Sequence, residues 1–157
     1  MGGVFLQFAG TWHVAAAASN CSVFRNVKDR MKSSTSTISF TPEGDLAMKL
    51  VWPLADRCQE FELLLQRTGQ AGHYMAVQEK KDLRVMETDY SHYAFVHEVQ
   101  QTERESSTAV QLLTREQDVS PKILRDFEEL LTTVGLTKDE LVILPKTGEY
   151  QCTAASR

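Results

Sequence analysis

Side chains able to support covalent or metal chemistry are few in this sequence of 157 residues. They comprise three cysteines and four histidines: Cys21, Cys58 and Cys152, with His13, His73, His92 and His97. His92 and His97 are the closest pair of histidines, and their odd separation along a strand places them on opposite faces. Because a metal ion needs several ligands converging on one point, we predict no metal site and no cofactor.

The composition is typical of one globular domain spanning residues 1–157. Hydrophobic residues make up 42% of the chain, charged residues make up 24%, and the net charge is -4. The sequence indicates no basic face of the kind that binds nucleic acid. No apolar run approaches the roughly 20 residues that a membrane-spanning helix needs. We therefore expect neither a nucleic acid nor a membrane span.

The cysteines favour an extracellular location over a cytosolic one. One cysteine pair with one spare thiol is typical of a secreted domain that has a single disulfide. The first residues lack the charged and apolar regions of a signal peptide, so a secreted protein would appear here in its mature form. Asn20-Cys21-Ser22 also matches the acceptor pattern for N-glycosylation, which makes Asn20 a candidate site.

Short segments with β-strand patterning fill the chain as far as about residue 116. Turn signals separate them: in Thr41-Pro42-Glu43-Gly44-Asp45, for instance, proline presets φ and glycine supplies a positive φ. Strands at such regular spacing predict an antiparallel barrel or sandwich. The predicted strands are 10–19, 31–40, 46–52, 58–66, 73–77, 83–90, 92–99 and 108–115.

A helical period follows the last predicted strand. The apolar residues with this spacing are Ile123, Leu124, Phe127, Leu130, Leu131 and Val134. Ser120 is a suitable N-cap, Pro121 suits the first helical position, and Gly135 ends the pattern. We predict a helix over about 121–134. A single amphipathic helix after so many strands must pack against the outside of the β-structure.

Three motifs occur in a characteristic order along the chain. Gly10-Thr11-Trp12 opens the first strand, Thr88-Asp89-Tyr90 ends the sixth, and Thr114-Arg115 ends the eighth. In these motifs and their order the chain resembles the lipocalin family. The resemblance implies an all-β fold, an eight-stranded antiparallel up-and-down barrel over about residues 10–116. One C-terminal α-helix would pack outside this barrel, and a tail would continue to residue 157.

Further segments place the resemblance in one branch of the family. They are Ala18-Ser19-Asn20, Asp118-Val119-Ser120-Pro121 and Leu144-Pro145. That branch contains lipocalin-15, lipocalin-type prostaglandin D synthase and avian extracellular fatty-acid-binding protein. The resemblance gives Trp12 and Arg115 a structural role, since the arginine stacks on the tryptophan at the closed end, a contact of roughly 0.5–2 kcal/mol. Gly10, Thr88, Asp89 and Tyr90 complete this structural signature.

The resemblance also implies a ligand cavity inside the barrel. Ser33–Thr37 is a run of small polar residues on the second strand, and small inward side chains leave room for a ligand. Alternation defines two faces of a strand, and only the resemblance indicates which is inside. The expected lining residues are Ser34, Ser36, Ile38, Val51, Phe61, Leu63, Tyr74, Val85, Tyr93 and Gln111. We expect a carrier of a small lipophile such as a fatty acid or retinoid, with a cell-surface receptor as a candidate partner.

Three alternative functions stay open at this point. Prostaglandin D synthase uses a cysteine on the second strand, where an ungapped alignment puts Ser34, so we predict no enzymatic activity. The avian relative holds a siderophore with a cluster of basic residues. In this chain Gln100 and Gln111 stand at two of those basic positions, and Lys80 or Lys81 matches the third. The third alternative is a filled barrel whose loops bind a protein.

The first testable prediction concerns the disulfide. Cys58 and Cys152 match the bond that holds the C-terminal tail to the barrel wall in lipocalins, which leaves Cys21 free. In the chain-entropy model, closing so long a loop stabilises the fold by roughly 4–5 kcal/mol. Peptide mapping by mass spectrometry under non-reducing conditions is expected to find these two cysteines linked and Cys21 open to alkylation. An intramolecular bridge containing Cys21 would contradict the assignment.

Overall fold

The computed structural model describes residues 6–54 and 57–145, and these ranges are mainly β-structure. Their strands are β1 (Gly10–Ser19), β2 (Ser34–Phe40), β3 (Leu46–Leu54), β4 (Arg57–Arg67), β5 (His73–Ala76), β6 (Lys81–Thr88), β7 (Tyr93–Gln101), β8 (Ser106–Thr114) and β9 (Leu141–Ile143). The α-helices in the same ranges are α1 (Ser22–Val27) and α2 (Pro121–Thr133). None of the helices described is long and apolar enough to cross a membrane.

Strands β1 to β8 form a closed antiparallel barrel. Each strand from β2 to β8 pairs with its neighbour in the chain, and β1 pairs with both β8 and β2. Closure by β1 removes the two edges that an open sheet would expose. The prediction of an eight-stranded up-and-down barrel is confirmed.

The structure adds two short elements that the sequence patterns missed. β9 lies in the segment expected to be a tail, and it pairs with residues 16–18 of β1. It occupies the part of the β1 edge beyond Val14, where the pairing with β2 ends. α1 has 6 residues, too few to show a helical period of apolar side chains. It lies just before β2, which begins at Ser34 rather than at Met31.

Helix α2 packs against the outside of the barrel, as predicted. The Ser120 hydroxyl accepts a hydrogen bond from the Ile123 N–H at 3.1 Å and so caps the first turn. Gly135, with a φ of +81°, follows the last turn. One apolar face of the helix contributes to an outer cluster. The buried members of this cluster are Ala16, Ala18, Phe95, Val110, Leu112, Phe127, Leu131 and Leu136.

A bulge in β1 lets this strand contribute to both sides of the wall. The register with β8 shifts between Val14 and Ala16, which reverses the faces that successive side chains occupy. Val14 before the bulge and Ala17 after it belong to the barrel interior. Ala16 and Ala18 belong to the outer cluster, where their small side chains allow α2 to lie close to the sheet.

Trp12 and Arg115 close one end of the barrel. The Arg115 guanidinium carbon lies 3.7 Å from the centroid of the buried Trp12 ring. Arg115 Nη2 also donates to the carbonyl oxygens of Gln7 and Ala9, each at 3.0 Å. Trp12 Nε1 donates to the Phe8 carbonyl at 2.9 Å. Burial lowers the pKa of Arg115. The hydrogen bonds and the stacking on Trp12 fix the position of its guanidinium group.

The Thr88-Asp89-Tyr90 motif builds the turn between β6 and β7 at the same end. Thr88 Oγ1 accepts from the Tyr90 N–H at 2.9 Å, and Asp89 Oδ1 accepts from the Tyr93 N–H at 3.0 Å. Tyr90 adopts a φ of 65°, and its carbonyl accepts from Arg115 Nε at 3.1 Å. The three signature motifs therefore meet at one end of the barrel, where their roles are structural.

Gly10 provides a test of this closed end. Its φ is +118°, and a Cβ there would lie 2.8 Å from Arg115 Nη1. We expect Gly10→Ala to lower the free energy of unfolding by about 1–3 kcal/mol, because it strains the backbone and displaces the guanidinium. Gly69→Ala is the matched control: a Cβ at Gly69 meets nothing within 4 Å, so we expect a change within about 0.5 kcal/mol. Equal stability of the two variants in urea unfolding would contradict this account.

Candidate ligand-binding site

The inward face of each barrel strand follows from an interior cluster of buried side chains. Because side chains alternate along a strand, each member of the cluster also fixes the facing of its neighbours. The cluster draws on every wall strand and includes Trp12 on β1, Ile38 on β2, Leu46 on β3, Leu63 on β4, Tyr74 on β5, Leu83 on β6, Val96 on β7 and Leu113 on β8.

Most residues predicted to line the cavity occupy inward positions. Some belong to the interior cluster or pack on it, and others pair across the sheet with one of its members. Gln111, for example, lies opposite Val96 and Ala17. The inward residues among those predicted are Ser34, Ser36, Ile38, Phe61, Leu63, Tyr74, Val85 and Gln111.

Val51 and Tyr93 face the other way, and these two predictions were wrong. Val51 follows Leu50, whose side chain packs on the interior cluster, so alternation turns Val51 outward although it is buried. Tyr93 packs in the outer cluster. Its hydroxyl donates to Glu87 at 2.5 Å, and this hydrogen bond to a carboxylate raises the pKa of Tyr93 to about 12. On both strands the sequence pattern defined two faces and the wrong one was chosen.

The inward apolar side chains line a space that is open to solvent. Met48, Leu50 and Val85 pack on the interior cluster yet remain partly exposed, and the inward Phe61 is 46% exposed. Met48 and Leu50 were not among the predicted lining residues, although they lie two and four residues after the inward Leu46 and so face the same side of β3. The inward positions also include small, buried side chains: Ala17, Ser34, Ser36, Ala76 and Ala94.

One region of the interior carries an ion pair. Lys81 Nζ lies 3.5 Å from Glu98 Oε2, and their side chains are 18% and 10% exposed. Lys81 is two residues from the inward Leu83, and Glu98 is two residues from the inward Val96. Because side chains alternate along a strand, both Lys81 and Glu98 face inward. Lys81 Nζ also lies 5.9 Å from the centroid of the Phe61 ring. The carboxylate of Glu98 therefore neutralises the positive charge of Lys81.

The Ser36 hydroxyl is a buried polar atom without a partner. Ser36 is 1% exposed, its Oγ makes no hydrogen bond, and it lies opposite the signature Trp12 on the neighbouring strand. Leaving a buried hydroxyl unpaired costs about 1–3 kcal/mol.

The four histidines, all within the described ranges, lie off the interior face. His13 is adjacent to Trp12, His73 to Tyr74 and His97 to Val96, so alternation turns each imidazole outward, and His92 is exposed in the turn before β7. Burial lowers the pKa of His13 and of His97. Ser34 therefore has no histidine on its own face to act as a general base.

Cys21 and Asn20 lie where the chain leaves β1. Cys21 is a half-buried free thiol preceding α1. Asn20 Oδ1 accepts a hydrogen bond from the Thr108 N–H at 2.8 Å. Cys152 lies outside the described residues, so its disulfide with Cys58 stays a prediction, as does glycosylation of Asn20.

A separate pocket of about 730 Å³ lies outside the closed end. Its rim is formed by residues 41–44 of the turn after β2 and residues 67–72 of the loop after β4. Phe40 and Tyr74, which also contact the interior cluster, form part of its wall. Most of the lining of this pocket comes from these two loops.

The fold and the interior agree with a family-level match. A model of the lipocalin / cytosolic fatty-acid binding protein family matches residues 9–148. That span covers strands β1 to β9 and helix α2. The chain belongs to the lipocalin family.

Three relatives show where in the family the chain lies. Lipocalin-15 of Homo sapiens is 38% identical over 142 residues, covering 90% of this chain and 77% of that protein. Prostaglandin-H2 D-isomerase of Equus caballus is 29% identical over 153 residues, covering 90% and 77%. The solved structure of the siderocalin Ex-FABP, which functions through dual ligand specificities, superposes with a TM-score of 0.83 at 27% identity and covers 91% of this chain and 97% of that one. These matches confirm the branch predicted from the sequence.

Ser36 also yields a prediction. Because its hydroxyl has no partner, we expect Ser36→Ala to leave the stability of the ligand-free protein unchanged or to raise it by about 1 kcal/mol. Ser19→Ala is the matched control, since the buried Ser19 Oγ accepts from the Cys21 N–H at 3.0 Å. We expect this variant to lose about 1 kcal/mol in urea unfolding. If Ser36→Ala were destabilised as much as Ser19→Ala, the Ser36 hydroxyl would have a partner.

Proposed function

We propose that this lipocalin is a carrier that binds one small lipophile, such as a fatty acid or retinoid, in the barrel interior. The supporting observation is the set of inward apolar side chains that stay partly exposed, with Phe61 and Leu50 among them. A ligand that covers these side chains removes apolar surface from water without any rearrangement of the fold.

The size of the expected affinity follows from the area buried. Covering about 300 Å² of ligand surface at ~25 cal/mol/Å² contributes ~7 kcal/mol before the cost of ordering the ligand. That free energy corresponds to a Kd of micromolar order or somewhat better.

An isomerase function is less well supported, although one relative is a prostaglandin-H2 D-isomerase. Catalysis by a side chain needs an activated nucleophile, and a serine needs an adjacent base to become one. Ser34 is the residue predicted to occupy the nucleophile position, and none of the four histidines shares its face. We propose that the interior binds a lipid without transforming it.

A siderophore function is also less well supported. An anionic metal chelate needs several unpaired cations, and a single compensated one attracts it weakly. Gln100 and Gln111 are neutral, Lys80 is exposed in the turn before β6, and the Lys81 charge is neutralised by Glu98. We propose that the interior of this lipocalin does not bind a siderophore.

Secretion forms part of the same proposal. A carrier of water-insoluble lipids is useful in an extracellular fluid, where the expected disulfide between Cys58 and Cys152 would persist. A glycan on Asn20 and recognition by a cell-surface receptor are consistent with that location.

The carrier proposal predicts that filling the interior abolishes binding. We expect retinol to bind the wild type with about one-to-one stoichiometry, measured by enhancement of its own fluorescence. Leu50→Trp places a large ring in the interior, and we expect it to weaken binding by about tenfold or more, ~1.4 kcal/mol. Leu64→Trp is the control, because Leu64 is 54% exposed and follows the inward Leu63, so its side chain lies outside.

Three outcomes would contradict the proposal. The first is no binding of retinol or of a long-chain fatty acid by the wild type. The second is equal loss of binding in Leu50→Trp and Leu64→Trp, which would place the site elsewhere. The third is turnover of a prostaglandin endoperoxide that disappears in Ser34→Ala, which would make the protein an enzyme.

A further inference from the structure

The charges inside the barrel bear on the chemical class of the ligand. Lys81 is the inward cation that a carboxylate ligand would approach, and Glu98 already lies 3.5 Å from its Nζ. Both side chains are largely buried, so salt in solution screens this pair less than a surface pair. A ligand head group that reaches Lys81 therefore also meets the negative charge of Glu98.

We propose that Glu98 determines specificity by neutralising Lys81, so that the cavity prefers a lipophile with an uncharged hydroxyl or carbonyl head group over the same lipophile with a carboxylate. This inference rests on the proposed carrier function and narrows its ligand class: a retinoid alcohol is preferred, and a fatty acid, whose head group is a carboxylate, binds more weakly. Glu98 lies in the cavity wall and would contact the ligand head group directly.

The physical reason is the different response of the two head groups to an ion pair. A hydroxyl can accept a hydrogen bond from Lys81 Nζ and donate one to a Glu98 oxygen, because it is both donor and acceptor. A carboxylate can accept only, and at a few ångströms from Glu98 it meets a like charge in surroundings of reduced dielectric constant. Its attraction to Lys81 is largely cancelled by that repulsion.

The neighbouring side chains make the ion pair part of the lipid-binding wall. Lys81 Nζ lies 5.9 Å from the centroid of the Phe61 ring, so the charged group and an exposed apolar surface are next to each other. Gln100, two residues beyond Glu98, and Gln111 face the same interior and carry amides without charge. An amphipathic ligand would thus contact Phe61 with its chain and the ion pair with its head.

Other cations of the described wall lie away from this pair. Arg57 and Arg67 share the inward alternation of Phe61, but they stand at the two ends of β4, four and six residues from it, and both are exposed to solvent. Lys49 lies on the outer face of β3, with Nζ 3.4 Å from Glu60 Oε2. The local charge that a ligand head group meets beside Phe61 is therefore set by Lys81 and Glu98.

Retinol and retinoate test the proposal, because they share one apolar skeleton and differ in the head group. Titrations at neutral pH, followed by quenching of tryptophan fluorescence, give a Kd for each ligand with the full-length protein. For the wild type we expect retinol to bind about tenfold more tightly than retinoate. Glu98→Gln frees the Lys81 charge, so we expect its Kd for retinoate to fall by about tenfold or more and the preference for retinol over retinoate to be lost.

Glu62→Gln is the matched control for Glu98→Gln. It makes the same change in net charge, but Glu62 is exposed on the outer face, where its Oε1 lies 3.9 Å from Lys49 Nζ. We expect it to leave the ratio of the two Kd values as in the wild type. A shift equal to that of Glu98→Gln would mean that net charge, and not the interior pair, sets the preference.

Lys81→Gln keeps the proposal testable if Glu98→Gln does not fold. This variant leaves Glu98 without its cation, so we expect retinoate to bind still more weakly and the preference for retinol to widen. Retinoate bound by the wild type as tightly as retinol, or a ratio unchanged in both interior variants, would overturn the inference and leave the carrier function standing. Binding of neither ligand by the wild type would overturn the carrier function itself.

Discussion

Closure of the sheet by β1 is the constraint on which the rest of the structure depends. β1 bonds to β8 along one edge and to β2 along the other, and these pairings turn a meander into a barrel with an inside. Once the wall is closed, every second side chain faces the interior and the remainder face solvent or α2. Strand β1 contributes to both faces of the wall because of the bulge after Val14. The bulge turns Ala17 inward and leaves Ala16 and Ala18 facing the helix.

The two ends of the barrel use their residues for different purposes. At one end Arg115 stacks on Trp12 and donates to backbone carbonyls, and a left-handed glycine at position 10 leaves room for its guanidinium. These contacts close that end of the barrel. Further along the interior some inward apolar side chains stay partly exposed, so this part of the barrel is less completely packed than the closed end.

Relatives that share this fold bind or transform different molecules, so the fold alone does not decide the chemistry. The distinguishing features are a few inward side chains. Ser34 lacks an imidazole on its own face, Gln100 and Gln111 are neutral, and Lys81 is compensated by Glu98. Under the proposed function, these features disfavour covalent chemistry and anion binding and favour a neutral lipophile.

The sequence by itself determined the elements with strong local patterns and the family. The strands, the capped helix α2 and the three signature motifs all rest on residues that lie near one another in the chain, which is why their patterns can be seen without coordinates. Tertiary structure alone decided which face of β3 and β7 is inside, because alternation is symmetric and either phase fits the local pattern until the wall closes. It also brought Lys81 beside Glu98, since that contact depends on the register of β6 with β7. The short α1 and β9 have too few residues for a period, and β9 forms because β1 has an unpaired edge where β2 departs.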